Sequence, residues 1–167
     1  MQVRGSEMGF SPIFAPHARA LILGSYPSPK SFENQFYYGH PQNRFWPLLA
    51  ALASAPVPQT IPQKKALLLQ NNLALWDALQ QCSIVGAADV SITNPVPNDI
   101  ATLVKQSNIQ AIFCNGAAAY KFYHRYCEAD TGLQATALPS TSPANAAYTM
   151  PRLIQAWQPL RQYMGTP

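Results

Sequence analysis

The stretch RALILG at residues 19–24 is a short apolar run that ends at a glycine, and prolines follow at positions 27 and 29. Continuous apolar runs of this length are typical of strands that are buried on both faces of a sheet. Glycine and proline favour turns, so we predict that this strand opens into a rigid loop. Three further runs predict three further strands: LALW at 73–76, AIFC at 111–114 and TAL at 136–138.

Segments with helical character separate these strands. The predicted helices cover residues 45–53, 63 to about 71, 98 to about 107, 117 to about 127 and about 150 to 164, with Asn98 as the N-cap of the third. This alternation predicts an α/β fold, a three-layer sandwich with a short, mainly parallel four-stranded sheet between helices. Ligands of such sheets bind beyond the carboxyl ends of the strands, where we expect the loops 25–43 and 139–145.

The composition is that of a folded chain. Apolar residues make up 48% of the 167 residues and charged residues only 11%, whereas disordered chains are rich in charge. The length fits one domain, and we expect a single domain over residues 1–167. No apolar run reaches the roughly 18 residues of a membrane span, and the N-terminus lacks a signal-peptide core. We therefore expect a soluble, cytoplasmic protein, and its small size is compatible with action as a monomer.

Cysteine content and net charge narrow the functional classes. Cys82, Cys114 and Cys127 form no CxxC pair, which argues against a disulfide framework, a four-cysteine zinc site and a cysteine-bound iron–sulfur cluster. We expect no metal. The net charge of +4 is compatible with a polyanion such as nucleic acid, although many small domains carry a similar charge.

The densest segment for chemistry is FYYGHPQNRFW at 36–46, which holds five aromatic residues, a histidine, an asparagine and an arginine. Such a set could stack on a planar base, hold a water through an amide and contact a phosphate. Alternatively, Phe45 and Trp46 are core residues and Asn43 only caps the helix that follows. GxSxG, GxGxxG and Walker motifs are absent, so a site here would consist of neutral polar groups and aromatic rings.

Three motifs together resemble the uracil-DNA glycosylase superfamily: GSYPS at 24–28, YGHPQNRFW at 38–46 and LPSTSPAN at 138–145. The middle block is similar to the HPxNRFW segment of mismatch-specific uracil-DNA glycosylases. The complete set most resembles the hypoxanthine-DNA (deoxyinosine) glycosylase branch, and it extends from about residue 21 to about residue 160. The resemblance implies a short parallel four-stranded sheet, extrusion of a damaged base from DNA and hydrolysis of its N-glycosidic bond without a cofactor.

The resemblance also implies catalytic residues, and the departures from the family pattern affect them. The family places Asp or Asn before the first-motif proline to position the attacking water, but Tyr26 stands there, and a phenol is a poor base at neutral pH. We therefore expect Asn43 to orient the water through its carbonyl oxygen. Ser140 stands where the family has a His or Asn that stabilises the leaving base.

Further residues are implied for binding the base and the DNA backbone. Tyr38 matches the aromatic position that stacks on the flipped base, with Ser25 and Tyr26 beside it. His40 either donates a hydrogen bond to the base or organises the loop, and Asp77 either reads the base or is structural. The motifs also imply a set of residues that contact DNA: Ser28, Arg44, Ser142 and Asn145. Ala144 stands where relatives often carry a bulky wedge, which puts wedge insertion in doubt.

Three functions follow in order of preference. The first is a monofunctional glycosylase that excises hypoxanthine in base excision repair. The second is a uracil or mismatch glycosylase, against which Tyr26 argues. The third is a non-catalytic domain of the same fold that binds nucleic acid, because a fold does not by itself determine a function.

Overall fold

The computed structural model describes residues 3–4, 7–85 and 91–165, and its central element is a parallel four-stranded sheet. In this part of the chain the strands are β1 (Val3–Arg4), β2 (Ala20–Gly24), β3 (Leu73–Asp77), β4 (Leu79–Val85), β5 (Thr93–Pro97), β6 (Ala111–Asn115) and β7 (Ala135–Leu138). The parallel sheet has the order β3-β2-β6-β7. Its four strands are the four that the apolar runs predict.

The first predicted strand, β2, lies in the middle of this sheet. All five of its residues are buried, and it pairs in parallel with β3 on one side and β6 on the other. Ala20 is opposite both Leu73 and Ala111 in the register. Because the three strands start level, their carboxyl ends also lie level at one edge of the sheet.

Alternate residues of β2 enter two different cores. Ala20 and Ile22 join a cluster with residues of the helices over 45–53, 61–70 and 150–156 on one face. Leu21 and Leu23 join a cluster with residues of the helices over 100–105 and 117–126 on the opposite face. Helices thus cover both faces of the sheet, and the three-layer α/β prediction is confirmed.

The helices follow the predicted order, with some changes at their ends. They are α1 (Pro29–Asn34), α2 (Phe45–Ala53), α3 (Ile61–Gln70), α4 (Ile100–Lys105), α5 (Ala117–Tyr126), α6 (Glu128–Thr131) and α7 (Met150–Ala156), followed by a 3₁₀ helix (Gln158–Tyr163). The last predicted helix is split because Pro159 lacks an N–H and its ring clashes with the preceding turn. Within the described ranges, no helix is both long and apolar enough to cross a membrane.

The structure contains a second sheet that the sequence did not predict. It is antiparallel, with the order β1-β4-β5. Polar residues interrupt the apolar pattern of β4, so that segment lacks the signal of a buried strand. The sequence TNPVP of β5 favours turns rather than a strand, because it contains Pro95 and Pro97. Both prolines are tolerated because β5 is an edge strand.

Two local expectations are corrected by the structure. Asp99, not Asn98, caps α4, because its Oδ1 accepts the N–H of Thr102 at 3.2 Å. Asn98 instead donates its side-chain N–H to the backbone oxygen of Asp77 at 2.8 Å. The loop expected at 25–43 contains the short helix α1, which begins at a proline that suits a first helical turn.

Ile22→Ala is expected to lower the free energy of unfolding by about 2–5 kcal/mol, because it opens a cavity in the middle of the sheet. Denaturant unfolding followed by circular dichroism would measure the change. Val57→Ala is the control, since Val57 is 44% exposed and its truncation should cost far less. Equal losses for the two variants would contradict the assignment of Ile22 to the core.

Candidate active site

A pocket of about 310 Å³ opens at the carboxyl ends of the parallel strands. Each strand contributes a residue at or just beyond its end: Gly24, Asp77, Asn115 and Ser140. The loops after β2 and β7 complete the lining, which agrees with the general rule for such sheets. Asp77 is the one carboxylate among the described residues that line the pocket, and the remaining groups are mostly neutral polar or aromatic.

Asn43 lines the pocket just before α2, and its carbonyl oxygen is engaged within the protein. This Oδ1 accepts the backbone N–H of Phe45 at 2.9 Å and the hydroxyl hydrogen of Thr141 at 2.8 Å. An amide oxygen has two lone pairs, so both are occupied. The expectation that this oxygen orients a water does not fit the structure. The bond to Phe45 supports the alternative that Asn43 caps the helix, because it satisfies a backbone N–H at the start of α2.

Thr141 connects Asn43 to the end of β6. Its side chain is buried, and its Oγ1 accepts a hydrogen bond from Asn115 Nδ2 at 3.0 Å. The backbone N–H of Thr141 donates in turn to Asn115 Oδ1 at 3.0 Å. The loop after β7 is thereby joined to β6 by two bonds and to the turn before α2 by a third.

The side chain of Arg44 is turned toward the loop after β7. Its guanidinium donates to backbone oxygens of the loop after β7, at 3.4 Å to Thr141, 2.9 Å to Ser142 and 3.1 Å to Asn145. It also donates to the backbone oxygen of Tyr148. These bonds occupy four of the five N–H donors of the guanidinium group, and the contact of Arg44 with a DNA phosphate stays a prediction.

Tyr38 lies where the resemblance implies a base-stacking ring. Its ring is half-buried, lines the pocket and stacks on Phe45 with centroids 4.2 Å apart and planes inclined by 22°. Its backbone is in the left-handed region, with φ of 54°, which is uncommon for a residue other than glycine. One face of the ring is therefore held by the core.

His40 also lines the pocket, and one of its ring nitrogens is engaged. The backbone N–H of Gln42 donates to His40 Nδ1 at 3.1 Å. A neutral ring that accepts at Nδ1 carries its hydrogen on Nε2. The structure is compatible with both alternatives for His40, because Nδ1 organises the loop and the hydrogen on Nε2 could be donated to a base.

Asp77 is buried beside the glycine that ends β2. A Cβ atom added at Gly24 would lie 2.4 Å from Asp77 Oδ1 and 3.0 Å from the hydroxyl oxygen of Tyr38. The absence of a side chain at position 24 is thus what lets both groups approach the strand end. Burial, and to a smaller extent the nearby Asp77 carboxylate, raises the pKa of the Tyr37 phenol above its usual value. Tyr37 therefore stays protonated, and its hydroxyl donates to the backbone oxygen of Ser11.

The three predicted serines beyond Ser25 accept hydrogen bonds from nearby backbone N–H groups. Ser140 accepts from Ser142 at 3.1 Å, Ser142 accepts from Ala144 at 3.2 Å, and Ser28 accepts from Ser31 at 3.2 Å as the cap of α1. These bonds shape the two loops around the pocket. Contacts of the same serines with a leaving base or a phosphate stay predictions.

The remaining predicted residues differ in their relation to the pocket. Ser25 lines it. Tyr26 lines it too, but its hydroxyl donates to the backbone oxygen of Glu7 at 2.7 Å and its ring belongs to a buried cluster. Asn145 is not among the described residues that line the pocket, and its amide donates to the backbone oxygen of Ser140 at 3.0 Å. Its contact with DNA stays a prediction.

Sequence reasoning missed several lining residues, among them Asn115, Thr141 and Phe10. Asn115 follows a predicted strand directly, as Asp77 does, so the rule about strand ends would have found it. Thr141 lies inside the third motif and received no role. Phe10 has no local signal, because the chain brings it to the pocket only through the fold.

The cysteines are buried and lie outside the pocket lining. Burial raises the pKa of the Cys114 thiol to about 12 and that of Cys127 to about 11, so both are thiols rather than nucleophilic thiolates at neutral pH. Over the residues that the structure describes, no cluster of three or more His, Cys, Asp or Glu could hold a metal ion.

Comparison with known proteins places this pocket in a family. The model of the uracil DNA glycosylase superfamily matches residues 11–161. This chain belongs to that superfamily. It is 31% identical over 148 residues to a hypoxanthine DNA glycosylase of Methanosarcina acetivorans, covering 87% of this chain and 92% of the relative. It is 32% identical over 113 residues to a hypoxanthine DNA glycosylase of Methanosarcina barkeri, covering 66% and 71%.

A solved structure of a superfamily member has the same fold. It is an NMR structure of a candidate uracil DNA glycosylase from Methanosarcina acetivorans, with a TM-score of 0.78 and 27% identity. The match covers 95% of this chain and 99% of that one. The chain is accordingly a DNA glycosylase of the uracil DNA glycosylase superfamily.

Gly24→Ala is expected to slow base excision by about 100-fold, because the new Cβ would displace the Asp77 carboxylate and crowd the hydroxyl of Tyr38. Single-turnover excision measured at enzyme excess would test this. Gly9→Ala is the matched control, since its Cβ would meet neighbours at 3.5 Å or more, an ordinary contact distance. A Gly24→Ala protein as active as Gly9→Ala would show that the positions of Asp77 and Tyr38 beside Gly24 do not matter for excision.

Arg44→Gln is expected to lower the free energy of unfolding by about 2 kcal/mol, because carbonyls of the loop after β7 lose their donor. The dependence of DNA affinity on salt should stay unchanged in slope. Arg161→Gln, at an exposed arginine, controls for loss of one charge. A fall of about one in the slope of log affinity against log salt, specific to Arg44→Gln, would instead indicate a phosphate contact.

Proposed function

We propose that this protein removes hypoxanthine from deoxyinosine in DNA, as a monofunctional glycosylase that starts base excision repair. The observation that carries the proposal is a buried carboxylate, Asp77, in a pocket otherwise lined by neutral donors and aromatic rings. The volume of about 310 Å³ lies at the lower end of the range for small-ligand sites, which suits a single base. The two curated relatives named hypoxanthine DNA glycosylase support the same substrate.

Asp77 supplies the acceptor that would distinguish hypoxanthine from adenine. Hypoxanthine presents an N1–H donor on its Watson–Crick edge, whereas adenine presents an acceptor at N1. A carboxylate accepts hydrogen bonds and cannot donate one when ionised, so it matches hypoxanthine and repels adenine. A site in which an acceptor of the protein meets an acceptor of the ligand loses that hydrogen bond and discriminates against the ligand.

Donors on the opposite side of the base would come from His40 and Asn43. The Nε2–H of His40 and the Nδ2–H₂ of Asn43 are suited to the acceptor atoms of hypoxanthine, its O6 and N7. Tyr38 would stack on the base with the ring face that does not contact Phe45. Extrusion of the base from the duplex costs a few kcal/mol and is easiest for bases that pair badly, which favours a deaminated base over normal ones.

Hydrolysis at this site would depend on departure of the base. The bond between C1′ and N9 breaks, and its electron pair goes to the purine. Water then adds its hydroxyl to C1′ and its remaining proton goes to the base, leaving an abasic sugar and free hypoxanthine. An oxocarbenium-like transition state needs only a weak nucleophile, so a strong base is not required. Hydrogen-bond donors around the purine stabilise the charge that develops there.

DNA binding is assigned to the rim of the pocket. Ser142 and Ser28 lie on the loops beside it and would contact backbone phosphates, and Ser140 would lie against the leaving base. We propose that the enzyme acts on DNA as a monomer and without a cofactor. The positive net charge of +4 supports a polyanionic substrate.

The proposal is tested with duplexes that carry one deoxyinosine or one deoxyuridine, cleaved with alkali after incubation at enzyme excess. We expect cleavage at deoxyinosine, and we expect Asn43→Ala to slow it by about 100-fold because a donor to the departing base is lost. Asn108→Ala is the matched control, since Asn108 is exposed and away from the pocket. Its rate should equal that of the native protein.

Other outcomes would overturn parts of the proposal. Cleavage at deoxyuridine alone would identify a uracil glycosylase. Binding to both duplexes that weakens steeply with salt, without cleavage of either, would identify a non-catalytic DNA-binding domain. Equal rates for Asn43→Ala and Asn108→Ala would remove Asn43 from the site.

A further inference from the structure

We infer that Thr141, held by Asn115, is a positioning residue that turns Asn43 into a hydrogen-bond donor toward the pocket. The inference rests on the proposed function and specifies how Asn43 would serve it. In this arrangement Asn43 stabilises an acceptor atom, such as a carbonyl oxygen or ring nitrogen of the departing base, rather than orienting water through its own oxygen.

The orientation of both amides follows from two backbone donors. The N–H of Phe45 lies 2.9 Å from Asn43 Oδ1, and the N–H of Thr141 lies 3.0 Å from Asn115 Oδ1. A backbone N–H can only donate, so each of these amide atoms must be an oxygen and the other end of each amide must be the NH₂ group. The hydrogen-bond partners therefore fix the direction of both amides.

The direction of the hydroxyl of Thr141 follows in turn. Asn115 Nδ2 donates to Thr141 Oγ1 at 3.0 Å, so the hydroxyl oxygen acts as acceptor there. Its hydrogen then points at Asn43 Oδ1, 2.8 Å away. The three side chains form a directed chain from Asn115 through Thr141 to Asn43, in which each link has one donor and one acceptor.

This chain is anchored in three parts of the fold. Asn115 ends β6, Thr141 is fully buried in the loop after β7, and Asn43 precedes α2. The backbone oxygen of Thr141 accepts the N–H of Arg44 at 3.1 Å, which ties the loop to the start of α2 a second time. Rotation of the Asn43 amide would break the bonds to both Phe45 and Thr141.

The orientation of the Asn43 amide affects how the charge on the departing base is stabilised. When C1′–N9 breaks, negative charge spreads over the acceptor atoms of the purine. An N–H group already aimed at the pocket needs no reorganisation as this charge develops. The Thr141 hydroxyl and the backbone N–H of Phe45 hold this orientation together, because both donate to Asn43 Oδ1.

Three variants test the inference. Thr141→Val keeps the shape of the side chain but removes the hydroxyl, and we expect single-turnover excision of hypoxanthine to fall by about 10- to 100-fold. Affinity for the duplex and the thermal unfolding midpoint serve as controls for global damage. Thr141→Ser restores the hydroxyl and should recover most of the lost rate. Asn115→Asp should also slow excision, because its second oxygen would accept the Thr141 hydroxyl hydrogen in place of Asn43.

Combining Thr141→Val with Asn43→Ala distinguishes a positioning role of Thr141 from a general disruption of the pocket. Once Asn43 is absent, Thr141→Val should cause little further loss. A Thr141→Val protein that excises at the native rate, while Asn43→Ala does not, would overturn the inference and leave the proposed function intact. The inference is also overturned if Thr141→Val slows the native protein and Asn43→Ala by the same factor. Should Thr141→Val fail to fold, Asn115→Asp and Thr141→Ser carry the comparison.

A spectroscopic readout keeps the inference testable if the proposed function fails. The side-chain ¹⁵N–¹H₂ resonances of Asn43, assigned by comparison with Asn43→Ala, should move in Thr141→Val and return in Thr141→Ser. Unchanged resonances would overturn the positioning role even in a protein that cleaves no substrate.

Discussion

The hydrogen bonds of the Arg44 guanidinium hold together the two loops that form the pocket. A loop of irregular backbone exposes carbonyl oxygens that pair with neither a helix nor a strand, and such groups are costly to bury without a partner. Arg44 supplies donors to four of these oxygens, at Thr141, Ser142, Asn145 and Tyr148. Because Arg44 directly follows Asn43, the same bonds set the distance between Asn43 and the loop after β7. The geometry of the pocket thus depends on a charged side chain that is turned toward the protein.

The parts of the fold that sequence could predict are those with a local signal. Four apolar runs predicted the four parallel strands, and the bounds of α2 were predicted correctly because its apolar run is continuous. The antiparallel sheet was missed because β4 carries polar residues and β5 carries prolines, and their strand character depends on the pairing of β4 with β5 and with β1. The region of the pocket followed from topology, since loops after parallel strands meet at one edge.

The atoms that act in the pocket could not be predicted in the same way. Asn43 and Thr141 lie 98 residues apart, and nothing in either segment indicates that one donates to the other. The motif identified Asn43 as a site residue, but which end of its amide faces the ligand depends on that contact and on the backbone N–H of Phe45. For Arg44 the motif suggested a phosphate contact because guanidinium groups commonly bind phosphate, whereas the fold provides backbone oxygens at closer reach. The type of a residue limits the roles that it can have, and its hydrogen-bond partners in the fold determine which of those roles is available.

The stacking of Tyr38 on Phe45 affects the entropy of binding. Phe45 is among the largest fully buried side chains, so the Tyr38 ring rests on a part of the core that is already close-packed. Its left-handed backbone and half-buried ring lose their conformational freedom when the chain folds, not when a ligand arrives. A planar ligand that stacks there meets a surface that is already ordered, and more of its contact energy remains as net affinity. The same rigidity limits the pocket to ligands whose thickness and outline match a surface that cannot move aside.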